Sequence, residues 1–109
     1  MAVQVKNIFT QVPAPVGQET LVTLLRNSCV TIERIVSHTH SSPPGFWYDQ
    51  AENEWVIVLR GQATLEFEGD EWVELKAGDF LTIPCHVRHR IRDTDSDTVW
   101  LAVKCVVCP

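Results

Sequence analysis

From Thr20 onward the chain is a succession of short runs rich in Val, Ile, Thr, Phe and Trp, each cut off by turn residues. The runs are Leu21–Leu25, Cys29–His38, Glu54–Arg60, Ala63–Glu68, Glu71–Leu75, Phe80–Pro84, Val87–Asp93 and Thr98–Val107. β-Branched and aromatic residues fit a pleated, half-buried surface, so each run reads as a strand. Gly69-Asp70 stands between two runs at hairpin length. No segment holds a helical period with capping residues. Closely spaced short strands without helices predict an all-β sandwich or barrel. At 109 residues the chain is one domain, with 1–19 as a lead-in and 20–109 as the barrel.

Composition narrows the function. Nine Lys and Arg against fourteen Asp and Glu leave a net charge of -5, which disfavours nucleic acid as a partner. No apolar run approaches the roughly 20 residues of a membrane span, and the first residues lack the apolar stretch of a secretory signal. The expectation is a cytoplasmic protein with no membrane or nucleic-acid partner. In that setting Cys29, Cys85, Cys105 and Cys108 are read as free, mostly buried thiols. A lone Cys105-x-x-Cys108 lacks the second ligand pair of a zinc site.

The four histidines fall in two windows, His38 with His40 and His86 with His89. Residues i and i+2 of a strand share a face, so His38 and His40 are expected to converge, with Val30, Ile32 and Val36 on the same inward face. Glu54 shares a face with Val56 and Val58, and His89 with Ile91 and Asp93. Three imidazoles and one carboxylate from three strands suit a single divalent transition metal, whether Fe, Mn, Ni, Zn or Cu. Such a set leaves positions open to water or substrate. His86 is placed in a turn facing solvent.

These residues resemble the motifs of the small cupins. His38-Thr39-His40 and Glu54-x6-Gly61 match the two halves of the first motif; Gly78-x5-Pro84 with His89 matches the second, Asp93 standing for its terminal Asn. The resemblance implies a double-stranded β-helix, or jelly roll, with the metal held inside by His38, His40, Glu54 and His89. Two departures stand out. Thirteen residues separate His40 from Glu54 where the motif has three or four, which leaves Gln50 as an alternative oxygen ligand and Asp49 as a weaker one. His86 also replaces a glycine of the second motif.

The long segment His40–Asn53 carries Phe46, Trp47 and Tyr48 and reads as a plug or lid at one end of the barrel. Tyr48, the chain's one tyrosine, is the candidate proton donor. Arg34, Arg60 and Trp47 are candidate substrate-binding residues, the arginines for an anionic group. Cys85 is read as core filler or as a thiol behind the metal histidine. Arg88, Arg90 and Arg92 alternate away from His89 and are expected to pair with Glu66, Glu68, Glu71 or Glu74. The outer face of the Glu54 strand, with Trp55, Ile57 and Leu59, is apolar as well, and a strand apolar on both faces is covered on both; a homodimer is the expected cover.

The function expected is a metal-dependent enzyme of oxygenase, lyase or isomerase type, acting on a small molecule, anionic or aromatic, held in the barrel. A non-catalytic sensor or small-ligand binding cupin is the alternative, since the fold does not fix the function. A metal-free sugar-nucleotide epimerase explains the histidines less well.

Overall fold

The computed structural model describes residues 2–10 and 14–105. Eight strands follow in chain order: β1 (Glu19–Arg26), β2 (Val30–Ser37), β3 (Asn53–Arg60), β4 (Gln62–Phe67), β5 (Glu71–Lys76), β6 (Phe80–Ile83), β7 (His89–Thr94) and β8 (Thr98–Cys105). They form two antiparallel sheets, one ordered β1-β2-β8-β3-β6 and the other β5-β4-β7. The spacing of the runs led to an all-β sandwich or barrel, and the architecture is the jelly roll that the resemblance to cupins implied. No helix among the described residues is long and apolar enough to cross a membrane.

The core lies between the sheets. Val56, Val58, Leu65, Leu75, Ile83, Ile91, Trp100 and Ala102 are buried there. Burying one such side chain is worth about 1.5–3 kcal/mol, so this cluster fixes how the sheets face each other. Glu54, Val56 and Val58 point inward together, as the alternation along β3 predicts. The outer residues Trp55, Ile57 and Leu59 are half-buried, and Trp55 packs on Phe80 with ring centroids 5.5 Å apart. Much of their cover therefore comes from within the chain.

β2 departs from the expected alternation. Glu33, Ile35 and Ser37 face the barrel, and Arg34, Val36 and His38 face out. The inward polar residues are held: Trp100 Nε1 donates to Ser37 Oγ (3.1 Å), and Glu33 pairs with Lys104 (3.1 Å). The outer face is covered too, because Arg34 Nη1 donates to the carbonyls of Ile8 (3.2 Å) and Thr10 (2.7 Å) and ties the N-terminal arm across it. With both faces covered, apolar alternation alone does not say which one is the inside.

The cysteines also differ from expectation. Cys29 and Cys105 are free but exposed, because both sit at strand ends on the rim. Cys85 is in a disulfide. Cys108 lies outside the described residues.

Two tight positions fix the connections. Gly69 and Asp70 both take positive φ (98° and 65°), as a two-residue hairpin between β4 and β5 requires. Gly61, between β3 and β4, has φ +82°, and a Cβ there would lie 2.7 Å from Thr98 Oγ1 and 2.8 Å from the Asp97 carbonyl oxygen. We expect Gly61→Ala to lower the unfolding free energy in urea by more than the roughly 1–2 kcal/mol of a left-handed L-residue, since backbone must also move. A loss below about 0.5 kcal/mol, the range of a neutral surface change, would contradict this packing.

Candidate functional site

A half-enclosed cavity opens between the sheets. β1 supplies Glu19 and Leu21, β2 Glu33 and Ile35, β3 Glu54 and Val56, β7 His89 and Ile91, and β8 Trp100 and Lys104; the long loop adds Tyr48 and Gln50.

The loop is laid along β7 by backbone pairing. Ser42 N donates to the Ile91 carbonyl (2.8 Å), and Tyr48 and His89 exchange N–H···O bonds (2.7 and 3.1 Å). Ser42 Oγ accepts from Ile91 N (3.0 Å), and Arg90 donates to the Ser42 carbonyl (2.8 Å). The segment is thus an extra extended edge that delivers its aromatics to one end of the barrel. The Tyr48 ring stacks on His89, centroids 5.4 Å apart at 24°, and Phe46 meets Tyr48 edge-on at 4.8 Å.

His89 is 5% exposed and Glu54 7%. His89 Nδ1 lies 2.9 Å from the Val87 carbonyl oxygen. A carbonyl oxygen only accepts, so Nδ1 carries the hydrogen and donates. Burial holds the imidazole pKa below its usual value and outweighs the Val87 bond. A neutral His89 therefore keeps a lone pair on Nε2, which points at Glu54 Oε1 across 3.8 Å. That gap is too long for a hydrogen bond. Burial pushes the Glu54 carboxyl above the ordinary range; Lys104 pulls it down, while Glu33, Glu52 and Glu19 push it further up. Gln50 adds a buried Oε1 with no hydrogen-bond partner.

Beside these acceptors, Tyr48 O–H donates to Glu19 Oε1 (3.4 Å), and Ser37 Oγ donates to Glu19 Oε2 (3.3 Å). The Tyr48 phenol is pushed up to about 12, first by burial and then by the Glu19 carboxylate. It is a proton donor at neutral pH.

The expected ligand set is not assembled. His38 follows the inward Ser37 and so faces out. Its Nδ1 lies 3.2 Å from the Ala14 carbonyl oxygen, and it lines a separate cleft beneath the N-terminal arm. Strand alternation also ends there, because Thr39 takes φ +48° and directs His40 elsewhere. His40 Nδ1 lies 3.2 Å from the Gly17 carbonyl oxygen and Nε2 3.8 Å from Glu19 Oε2. No cluster of three His, Cys, Asp or Glu placed to hold a metal occurs among the described residues. Of the four expected ligands, Glu54 and His89 meet.

The remaining candidates are also displaced. Arg34 holds the arm, and Arg60 pairs with Asp97 (3.3 Å) and lies over Phe9, so neither enters the barrel. Trp47 lies outside the cavity lining, with Arg88 5.7 Å from its ring. Asp49 binds the exposed His86 at 2.8 Å. Arg92 is the extra residue where β7 bulges against Thr64 and Leu65, and Asp93 beyond it is exposed. Arg88 pairs with Glu68 (2.6 Å) and Arg90 with Glu66 (3.1 Å), as expected. Glu19, Glu33 and Lys104 were not singled out in the sequence. Opposite charges inside two apolar runs, Glu33 and Lys104, are a readable signal of a buried pair; Glu19 at a strand start gives none.

Comparison with known proteins agrees with this architecture. A structure from Ralstonia eutropha JMP134, provisionally named a mannose-6-phosphate isomerase, is 44% identical over 96% of this chain and 100% of its own, with a TM-score of 0.89. A cupin superfamily protein from Desulfitobacterium hafniense DCB-2 is 20% identical over 88% of this chain and 84% of its own (TM-score 0.75). An RmlC-like cupin from Desulfovibrio desulfuricans is 14% identical over 94% and 97% (TM-score 0.75). These last two likenesses are of fold. No curated protein matches the chain. The sequence model of the cupin domain matches residues 32–104, which takes in every strand but β1, the first two residues of β2 and the last residue of β8, and with it the chain belongs to the cupin family.

Proposed function

We propose that this cupin is a metal-dependent enzyme of isomerase type that acts on a small hydroxylated carbonyl compound in the barrel cavity. The observation that carries the reading is that the Glu54 carboxylate, His89 Nε2 and the unpaired, buried Gln50 Oε1 line one half-enclosed cavity, the first two 3.8 Å apart. Buried acceptors without partners are costly, and a divalent cation would satisfy all three. The donor set that fits is thus Glu54, His89 and Gln50, not the one built on His38 and His40. One imidazole and two oxygens suit Mn, Fe, Ni or Zn. When bound there, such an ion would polarise a substrate carbonyl as a Lewis acid.

The proton chemistry falls to Tyr48 and Glu19. Glu19, as a carboxylate, takes the proton from the carbon next to the carbonyl. Tyr48 gives its phenolic proton to the carbonyl oxygen. Glu19 then gives its proton to the former carbonyl carbon, and Tyr48 takes a proton back from the neighbouring hydroxyl, which becomes the new carbonyl, so both residues end as they began. The apolar wall of Ile35, Leu65, Ile83 and Ile91 keeps bulk water from the reacting carbon. The name of the 44%-identical relative supports the isomerase class. The lining does not favour a phosphate ester, however. Its one cation, Lys104, is engaged by Glu33, and a phosphate would lie among three glutamates. This replaces the anionic ligand expected from Arg34 and Arg60.

Elemental mass spectrometry of protein purified without chelator or nickel resin tests the donor set. We expect about one equivalent of a transition metal, lost in Gln50→Ala and His89→Ala and kept in His38→Ala. Loss in His38→Ala as complete as in His89→Ala would restore the three-histidine centre and contradict the reading. A second prediction concerns Tyr48. As the chain's one tyrosine, its near-ultraviolet tyrosinate signal is unmixed. It should titrate near about 12 in the folded protein, and lower in Glu19→Gln, where the carboxylate's repulsion is gone. Because the folded pKa is raised above the unfolded 10, this group's stability contribution is complete below pH 10 and is lost as pH rises toward 12. A midpoint at 10 in the folded protein would place Tyr48 in solvent.

A further inference from the structure

Beyond the groups assigned above, the cavity lining holds a pair of opposite charges, Glu33 on β2 and Lys104 on β8. Lys104 and Glu54 are partners in register on adjacent strands, so Lys104 branches from the sheet about 5 Å from Glu54, one strand spacing away. Glu33 stands opposite Ala102, which shares the inward face of β8 with Lys104 by strand alternation. Glu33 is 9% exposed. Its Oε1 lies 3.1 Å from Lys104 Nζ, yet no hydrogen bond satisfies that oxygen. The two groups therefore balance in charge, while a buried carboxylate oxygen lacks an aligned donor.

The chemistry of the pair selects what it can hold. A hydroxyl carries one donor hydrogen and two lone pairs. It can donate to Glu33 Oε1 and accept from Lys104 Nζ at once. An ammonium group only donates and would face Lys104 as a like charge. A carboxylate or phosphate would face Glu33 and Glu54 as like charges. A methyl group would desolvate both side chains and bond neither, which is costly.

We propose that Glu33 and Lys104 form a subsite that reads a hydroxyl at the far end of the substrate, which makes the substrate an uncharged, unphosphorylated polyhydroxy carbonyl compound. The inference rests on the reading above, in which the carbonyl end lies at Glu54, His89 and Gln50. Lys104 neighbours Glu54 on the next strand, so a short carbon chain joins the two ends. A site built to bond a substrate hydroxyl rejects the analogue lacking it by about 10⁴-fold where water is fully excluded. The Lys104 side chain is 20% exposed, so water competes there and the discrimination expected is smaller.

Saturation-transfer NMR titration of the purified protein reads binding without any turnover. The two probes are erythrulose, a four-carbon ketone with a hydroxyl on every other carbon, and 1-hydroxybutan-2-one, which lacks the far hydroxyls. The wild type is expected to bind erythrulose about tenfold tighter or more. In Glu33→Gln and in Lys104→Met that preference should fall below about twofold, while the affinity for the deoxy analogue stays within about twofold of the wild type. Equal affinity of the wild type for both probes overturns the proposal, as does failure of both to bind. Variants that weaken both probes alike also overturn it, since that is the signature of a pair that only holds β2 in place. A hydroxyl preference of this kind in protein that isomerises neither probe would count against the assigned chemistry and leave the subsite standing.

Discussion

Two buried polar contacts, Trp100 Nε1 on Ser37 Oγ and Lys104 on Glu33, decide which face of β2 looks into the barrel. Leaving such groups unpaired in the interior would cost about 1–3 kcal/mol each, more for the charges. Turning β2 over would strand both, and would also detach Arg34 from the carbonyls of the N-terminal arm. That parity sends His38 outward and Ser37 inward, and Ser37 in turn helps hold Glu19 against Tyr48. The composition of the cavity follows from this one choice.

Inside the cavity, desolvation outweighs the local charges. Lys104 acts to keep Glu54 ionised, yet burial is the larger effect and raises its carboxyl. The same burial keeps His89 neutral despite its bond to Val87 and Tyr48 protonated beside Glu19. The outcome is a site with a division of labour. Glu54, His89 Nε2 and the unpaired Gln50 Oε1 line one side of the cavity, and beside them the Tyr48 phenol donates a hydrogen bond to the Glu19 carboxylate. Stacking of Tyr48 on His89 and the backbone exchange between them join the two halves rigidly.

Much of this was legible in the sequence, and the exceptions have physical causes. The strand positions and the Gly69-Asp70 hairpin follow from turn chemistry and β-rich runs. Glu54 and His89 follow from their spacing to Gly61 and Pro84, because β3 and β7 alternate cleanly at those positions. His38 and His40 do not, because the shared-face rule holds only within a strand and Thr39 leaves it with a positive φ. Arg34 and Arg60 misled for a related reason. A second cover on the outer face of the sheet, the N-terminal arm, gives an outward arginine buried partners that a strand pattern cannot distinguish from a ligand. Gln50 was visible only as a substitute, since the long insertion before Glu54 hides that its loop is zipped to β7.

Anomalous diffraction from crystals soaked in a divalent transition metal tests the account most directly. A single strong peak is expected within bonding distance of His89 Nε2, Glu54 and Gln50 Oε1. A peak instead on the outer face at His38, or one bridging His38, His40 and His89 after β2 has turned over, would contradict it.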